Sequence, residues 1–135
     1  MISFFVAGVP RPTQTGSVIR PGGGKRAFPV YRNTGWVSYC RLVASQQKVT
    51  PLTGPVSVCL TFYLPRPKHP KSQRPIVRPD LDNLEKKLMD GWNGILWHDD
   101  AQVVSKRVEK HYATSVVPPG LSVLVWQTGA AEGNG

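Results

Sequence analysis

Val56-Ser57-Val58-Cys59-Leu60-Thr61-Phe62-Tyr63-Leu64 alternates large apolar residues with smaller or more polar ones. Successive side chains of a strand point to opposite faces, so a period of two predicts a half-buried strand. Its core side would carry Val56, Val58, Leu60, Phe62 and Leu64. Upstream, Ile2 to Ala7 reads as a strand closed by Gly8 and Pro10. Trp36, Val37, Cys40, Val43 and Ala44 recur at helical spacing, predicting a helix capped by Asn33 or Thr34 that runs to about Gln47. Downstream, Leu84, Leu88, Trp92 and Ile95 predict a second helix from Asp82 or Asn83 to about Asn93. Gln102–Tyr112 and Leu121–Trp126 read as the third and fourth strands, with Pro118-Pro119-Gly120 turning between them. The order β-α-β-α-β-β predicts a small α+β domain, a mostly four-stranded sheet packed by two helices.

The 135 residues are the length of one domain, 1–135. Two stretches read as mobile basic loops. Residues 10–30 contain Gly22-Gly23-Gly24-Lys25-Arg26, and residues 65–79 hold five prolines and five bases, a composition unfit for helix or central strand. Residues 128–135 read as a frayed tail. Cys40 and Cys59 each sit in an apolar run with no metal-ligand spacing, as free buried thiols of a reducing compartment do. The first seven residues are apolar but too short and uncharged for a signal peptide. No run approaches the roughly 20 apolar residues of a membrane span, so a soluble, cytoplasmic protein is expected.

Charge points to the chemistry. The net charge is +9 and the pI about 10.0, the footprint of a nucleic-acid binder. Residues 1–79 carry twelve bases and no acid; residues 80–135 carry five bases and eight acids. Seven of the eight carboxylates lie between Asp80 and Glu109. Clustered acids repel unless a cation sits among them, and a divalent metal is the usual cation. Metal carboxylates in a basic frame predict phosphodiester chemistry on nucleic acid. They argue against a metabolic enzyme that meets no acidic partner.

The run Arg78-Pro79-Asp80-Leu81-Asp82-Asn83-Leu84 opens that cluster. On an extended segment Asp80 and Asp82 point the same way and can share one ion. Hard oxygen ligands suit Mg²⁺, with Mn²⁺ as a substitute. The D-x-D start of an EF-hand is excluded, because Glu85 stands where that loop needs Gly and Gly91 where it needs Glu. Asp82 with Glu85 also imitates a helix capping box, which leaves Asp80 unexplained. Lys86, one turn after Asp82, can offset charge on a phosphate or make an ordinary i,i+4 ion pair. Lys87 and Asp90 read as solvated or DNA-facing charges. A third acidic site is Trp97-His98-Asp99-Asp100-Ala101-Gln102, in which His98 reads as a structural or surface residue rather than a base. A helix from Asp82 to Asn93 would be about 18 Å long. Asp100 must therefore return over residues 94–100, which reach about 23 Å if extended, or come from a partner subunit.

Asp80-Leu81-Asp82-Asn83-Leu84-Glu85-Lys86, coupled at this spacing to Trp97-His98-Asp99-Asp100-Ala101-Gln102-Val103-Val104, resembles the RusA family of Holliday-junction resolvases, small bacterial and phage endodeoxyribonucleases. The likeness is densest over residues 78–112, and residues 9–35 and 65–79 depart from the family pattern. It implies Asp80, Asp82 and Asp100 as metal-binding catalytic residues and Lys86 as the catalytic lysine. Asn83 and Asp99 match the motif without an assigned role. It also implies a Mg²⁺-dependent homodimer that resolves four-way DNA junctions by paired symmetric nicks in recombination and repair. Neither a nucleotide cofactor nor a membrane is called for. Arg66, Lys68, Lys71, Arg74 and Arg78 lead into the acidic run and are expected to grip DNA phosphates. Trp36, Trp92 and Trp126 read as core; Trp97 reads as core in preference to a base-stacking platform. The competing functions are a non-catalytic branched-DNA-binding protein with a structural metal, and an RNA-binding accessory protein.

Overall fold

A computed structural model describes residues 1–12, 14–19, 27–32 and 35–129. Its centre is the strand β4, Val56–Leu64, which has neighbours on both sides. The sheet order is β1-β6-β4-β5, where β1 is Ile2–Ala7, β5 is Val103–Tyr112 and β6 is Gly120–Gln127. β6 is antiparallel to both β1 and β4, whereas β5 runs parallel to β4. The third and fourth strands of the chain are therefore not a hairpin, and residues 113–119 carry the chain past the end of β4. The sheet is mixed and the fold is α+β, as expected.

Alternation sets the two faces. Ile2, Phe4 and Val6 of β1, the five predicted residues of β4, and Leu121, Val123 and Val125 of β6 are all buried. Against them packs α1, Trp36–Gln46, through Trp36, Cys40 and Ala44. Burial pushes the Cys40 thiol up to about 12. The Trp92 indole N–H donates to the Cys40 carbonyl at 3.2 Å. Phe4 meets Trp92 edge-on at 6.2 Å, and Trp92 meets Trp97 the same way at 6.1 Å. Trp36, Trp92 and Trp97 are core, and Trp126 is only half-buried. On the opposite face the rings of Phe5, Tyr63 and His111 form a row, at 6.4 and 5.9 Å.

Three local expectations change. The stretch 10–30, read as a loop, carries strand β2, Gln14–Ile19, and the start of β3, Ala27–Arg32, which pair antiparallel; residues 20–26 lie outside the described residues. The caps Asn33 and Thr34 also lie outside them. The residue preceding α1 is Gly35, with φ 85 and no side-chain cap. The helix predicted from Asp82 to Asn93 is two short ones, α2 at Leu81–Glu85 and α3 at Leu88–Gly91. Between them Lys86 has ψ 132 and Lys87 sits at φ 72, left-handed. The periodicity marked the buried residues correctly, since Leu84, Leu88 and Trp92 are all at 1% exposure or less. It could not show that the two halves are held by different partners. α2 lies against β5, whereas α3 lies against α1, where the Arg41 guanidinium donates to the Gly91 carbonyl at 2.6 Å. A Cβ on Gly91 would sit 3.1 Å from Val37 Cγ1, so α1 and α3 approach closely there and a larger residue would require Val37 to shift by a few tenths of an ångström.

Candidate active site

Residues 65–80 contain neither helix nor strand, as their prolines require. Lys110 of β5 holds their end in place: its ammonium donates to the carbonyls of Val77 and Pro79, both at 2.9 Å. Asp80 follows in an extended conformation, φ −69 and ψ 149, and its carbonyl accepts the first helical bond of α2 from Leu84. Asp82 falls in the first turn. The two carboxylates are thus split by a helix start rather than aligned along one extended segment. Asp80 lines a cavity of about 440 Å³ with Val9, Pro10, Arg11, Arg78 and Asn83. Asp82 lines a neighbouring cleft of about 260 Å³ with Glu85, Lys86, Asp100 and Lys106.

The break at Lys86–Lys87 answers the question of reach. With the helix interrupted, α3 and the turns after it bring Asp100 back to Asp82 within one chain. A 3₁₀ turn, Asp100–Gln102, presents it. Asp99 caps that turn by accepting from the Ala101 N–H at 2.9 Å. Gln102 uses every polar valence of its amide. Its Oε1 accepts from the N–H groups of His98 and Asp99 at 2.8 and 2.9 Å. Its Nε2 donates to the carbonyls of Leu52 and Gly54 at 2.9 and 3.0 Å. Asn93 links the core to the site, accepting from the buried Trp97 indole at 2.7 Å and donating to Asp100 Oδ1 at 3.4 Å. The His98 side chain is exposed, in keeping with a surface role.

Strand register explains Lys106 and Lys110. Pairing sets Val58 beside Lys106, Leu60 beside Val108 and Phe62 beside Lys110, so both lysines stand on the core-side face of an edge strand. At the edge their stems can cover apolar surface while the ammonium reaches outward. Lys106 Nζ lies 2.9 Å from Glu85 Oε2. On the other face Glu109 meets Arg107 at 2.8 Å and Arg74 at 3.2 Å. Its carboxyl is held below the usual range, first by the His111 ring, which outweighs the opposing desolvation, and then by Arg107 and the charge of Arg74. Arg66, Lys68, Lys71, Arg74 and Arg78 are all exposed, and Arg74 alone of them is tied to β5 through Glu109. Reading the sequence missed Glu85, Asn93, Gln102, Lys106 and Lys110. The two lysines did carry a signal, being charges at positions that the strand's alternation assigns to the core.

No group of three His, Cys, Asp or Glu side chains among the described residues is arranged to enclose a cation. The donors nonetheless fit a hard divalent ion. The Asp82 cleft offers carboxylate oxygens and no thiol or imidazole, and Mg²⁺ commonly takes one or two carboxylates, completing its shell with water and substrate phosphate.

A model of the family described as Endodeoxyribonuclease RusA matches residues 8–125. The chain belongs to the RusA endodeoxyribonuclease family. It is also similar to "Uncharacterized protein YqaN" of Bacillus subtilis (strain 168), 34% identical over 129 residues, with 82% of this chain and 89% of that protein covered. The RusA match takes in the Asp80 cavity, the Asp82 cleft, strands β2 to β5 and all but the last two residues of β6, and begins just after β1. No helix among the described residues is long and apolar enough to cross a membrane.

Proposed function

We propose that this chain is a Mg²⁺-dependent, structure-selective endodeoxyribonuclease that resolves four-way DNA junctions by paired symmetric nicks, in recombination and repair, with Mn²⁺ able to substitute. One observation supports this most. Asp82, Lys86 and Asp100, the last far along the chain from the others, open on a single cleft, and the cavity of the nearby Asp80 is lined by Arg78 of the basic 65–79 segment. Asp82 and Asp100 would hold the ion, with Asp80 reaching from the adjoining cavity as the third carboxylate. A divalent ion bound there supplies water activation and neutralises charge on the leaving oxygen. Lys86 offsets charge that develops on the scissile phosphate. Arg66, Lys68, Lys71 and Arg78 grip flanking phosphates, and Arg74 joins them by exchanging Glu109 for DNA. A two-fold homodimer would present two such sites to a two-fold junction.

The separation of Asp80 from the Asp82 cleft favours one competing reading, a junction-binding protein without catalysis. A labelled synthetic four-way junction separates them, run against linear duplex with Mg²⁺, with EDTA and with Asp82→Asn. Paired nicks that need both the metal and Asp82 are expected. Tight junction binding with no cutting under Mg²⁺ or Mn²⁺ would establish the binder instead.

A further inference from the structure

Lys86 is not the only cation in the Asp82 cleft. Lys106 lines it too, and it also lines the next cleft along the start of β5, together with Val103, Val104 and Ser105. Asp100, Lys106 and Met89 belong to both clefts and so form the saddle between them. A strand of DNA laid from one cleft into the other would cross that saddle.

The two lysines of the core-side face of β5 are held very differently. Lys110 is fixed by two carbonyls and is a structural tether. Lys106 has only the charge of Glu85. The pair meets at 2.9 Å, yet Glu85 Oε2 accepts no hydrogen bond of good geometry among the described residues. The Lys106 side chain keeps 42% of its exposure, against 20% for Glu85. The ammonium stays solvated and makes no hydrogen bond that locks it in place, so the lysine can change partners, leaving the buried Glu85 Oε2 without its cation while DNA is bound. A phosphate carries acceptor oxygens that can take over from the Glu85 carboxylate at the same place.

We propose that Lys106 is a further catalytic residue, a second cation that leaves Glu85 to contact the phosphate being cut. The inference rests on the nuclease reading above. Lys106 neither gives nor takes a proton; it offsets charge on the non-bridging oxygens as the phosphorus–oxygen bond breaks. Glu85 holds the ammonium over the saddle until DNA arrives and takes no part in the cut.

The test compares Lys106→Gln, Lys106→Arg, Glu85→Gln and the double variant Glu85→Gln/Lys106→Gln. Single-turnover junction cleavage under Mg²⁺ is measured beside junction binding in EDTA, with wild type and Asp82→Asn as references. Lys106→Gln is expected to cut about 100-fold more slowly while binding the junction nearly as well. Lys106→Arg should recover most of the rate, and Glu85→Gln should cut at least as fast as wild type. The double variant carries a neutral pair of nearly the same shape, so its fold is protected, and it should stay as slow as Lys106→Gln. Recovery of the wild-type rate in the double variant would overturn the proposal, because Lys106 would then serve only to neutralise Glu85. So would a Lys106→Gln protein that cuts like wild type. A wild type that binds but never cuts would sink the nuclease reading itself, a result distinct from either.

Discussion

Lys110 shows how one side chain outside the acidic motif governs it. Its ammonium bridges the carbonyls of Val77 and Pro79, within three residues of Asp80, so it helps to set where the chain enters α2. Lys110→Met keeps most of the apolar stem but loses both bonds. Small displacements of catalytic groups are costly, and single-turnover cleavage is expected to fall about 10-fold or more, with junction binding in EDTA little changed. An unaltered rate would show that the Asp80 segment is held by something else. The thiols give a test that needs no substrate. With its pKa raised to about 12, Cys40 is almost wholly protonated at pH 8 and sealed in the core. Cys59 is only half-buried. In native protein a thiol reagent should modify Cys59 well before Cys40, and both at one rate in denaturant. Equal rates in the native state would mean that α1 opens readily from the sheet.

The elements that matter most are the two short turns around the cleft. Gln102 satisfies two N–H groups and two carbonyls at once. Gln102→Leu strands all four, and at about 0.5–1.5 kcal/mol for each bond lost, a stability loss of about 2–3 kcal/mol is expected by urea titration. A loss under about 0.5 kcal/mol would mean that water replaces the amide. Lys87 occupies the left-handed region at φ 72, where glycine is at ease and a β-branched residue is not. Lys87→Gly and Lys87→Val both lose the lysine side chain, so Lys87→Gly should be the more stable of the two by about 1–2 kcal/mol; the reverse order in thermal melts would contradict the break. These turns also mark the limit of what the sequence conveys. Alternation in β4 and the spacing of Leu84, Leu88 and Trp92 identified the core, because burial is written in period. The interruption at Lys86–Lys87 was not legible, since neither residue is a glycine or proline and its cause lies in partners on β5 and α1. The carboxylate motif was plain, but its division between two cavities follows from the helix start at Asp80, which spacing does not reveal.

For the molecule as a whole, charge divides along the chain: the 65–79 segment presents bases and the cleft gathers acids. Binding that runs through phosphates should weaken steeply with salt. Each phosphate contact removed should lower the slope of log affinity against log salt by about 1. Arg78→Ala is expected to show that full change in junction-binding titrations. Arg74→Ala should show less, because its guanidinium must first leave Glu109. Equal slopes for the two variants would mean that the Glu109 pair costs DNA binding nothing.

The strand order has a bearing on timing. β6 is the last strand among the described residues, yet it lies between β1 and β4, pairing Val125 with Ile2 on one side and with Val58 on the other. As the ribosome releases the chain, β1 therefore waits unpaired in this sheet until residues 120–127 emerge. The Asp82 cleft leans on β5, and β5 is anchored only through β4. A growing polypeptide would thus already carry every acidic and basic group of the cleft, and β4 and β5 beneath them, while β4 still lacks its neighbour on the other side. The sheet that carries the cleft would close only when β6 slots into its middle.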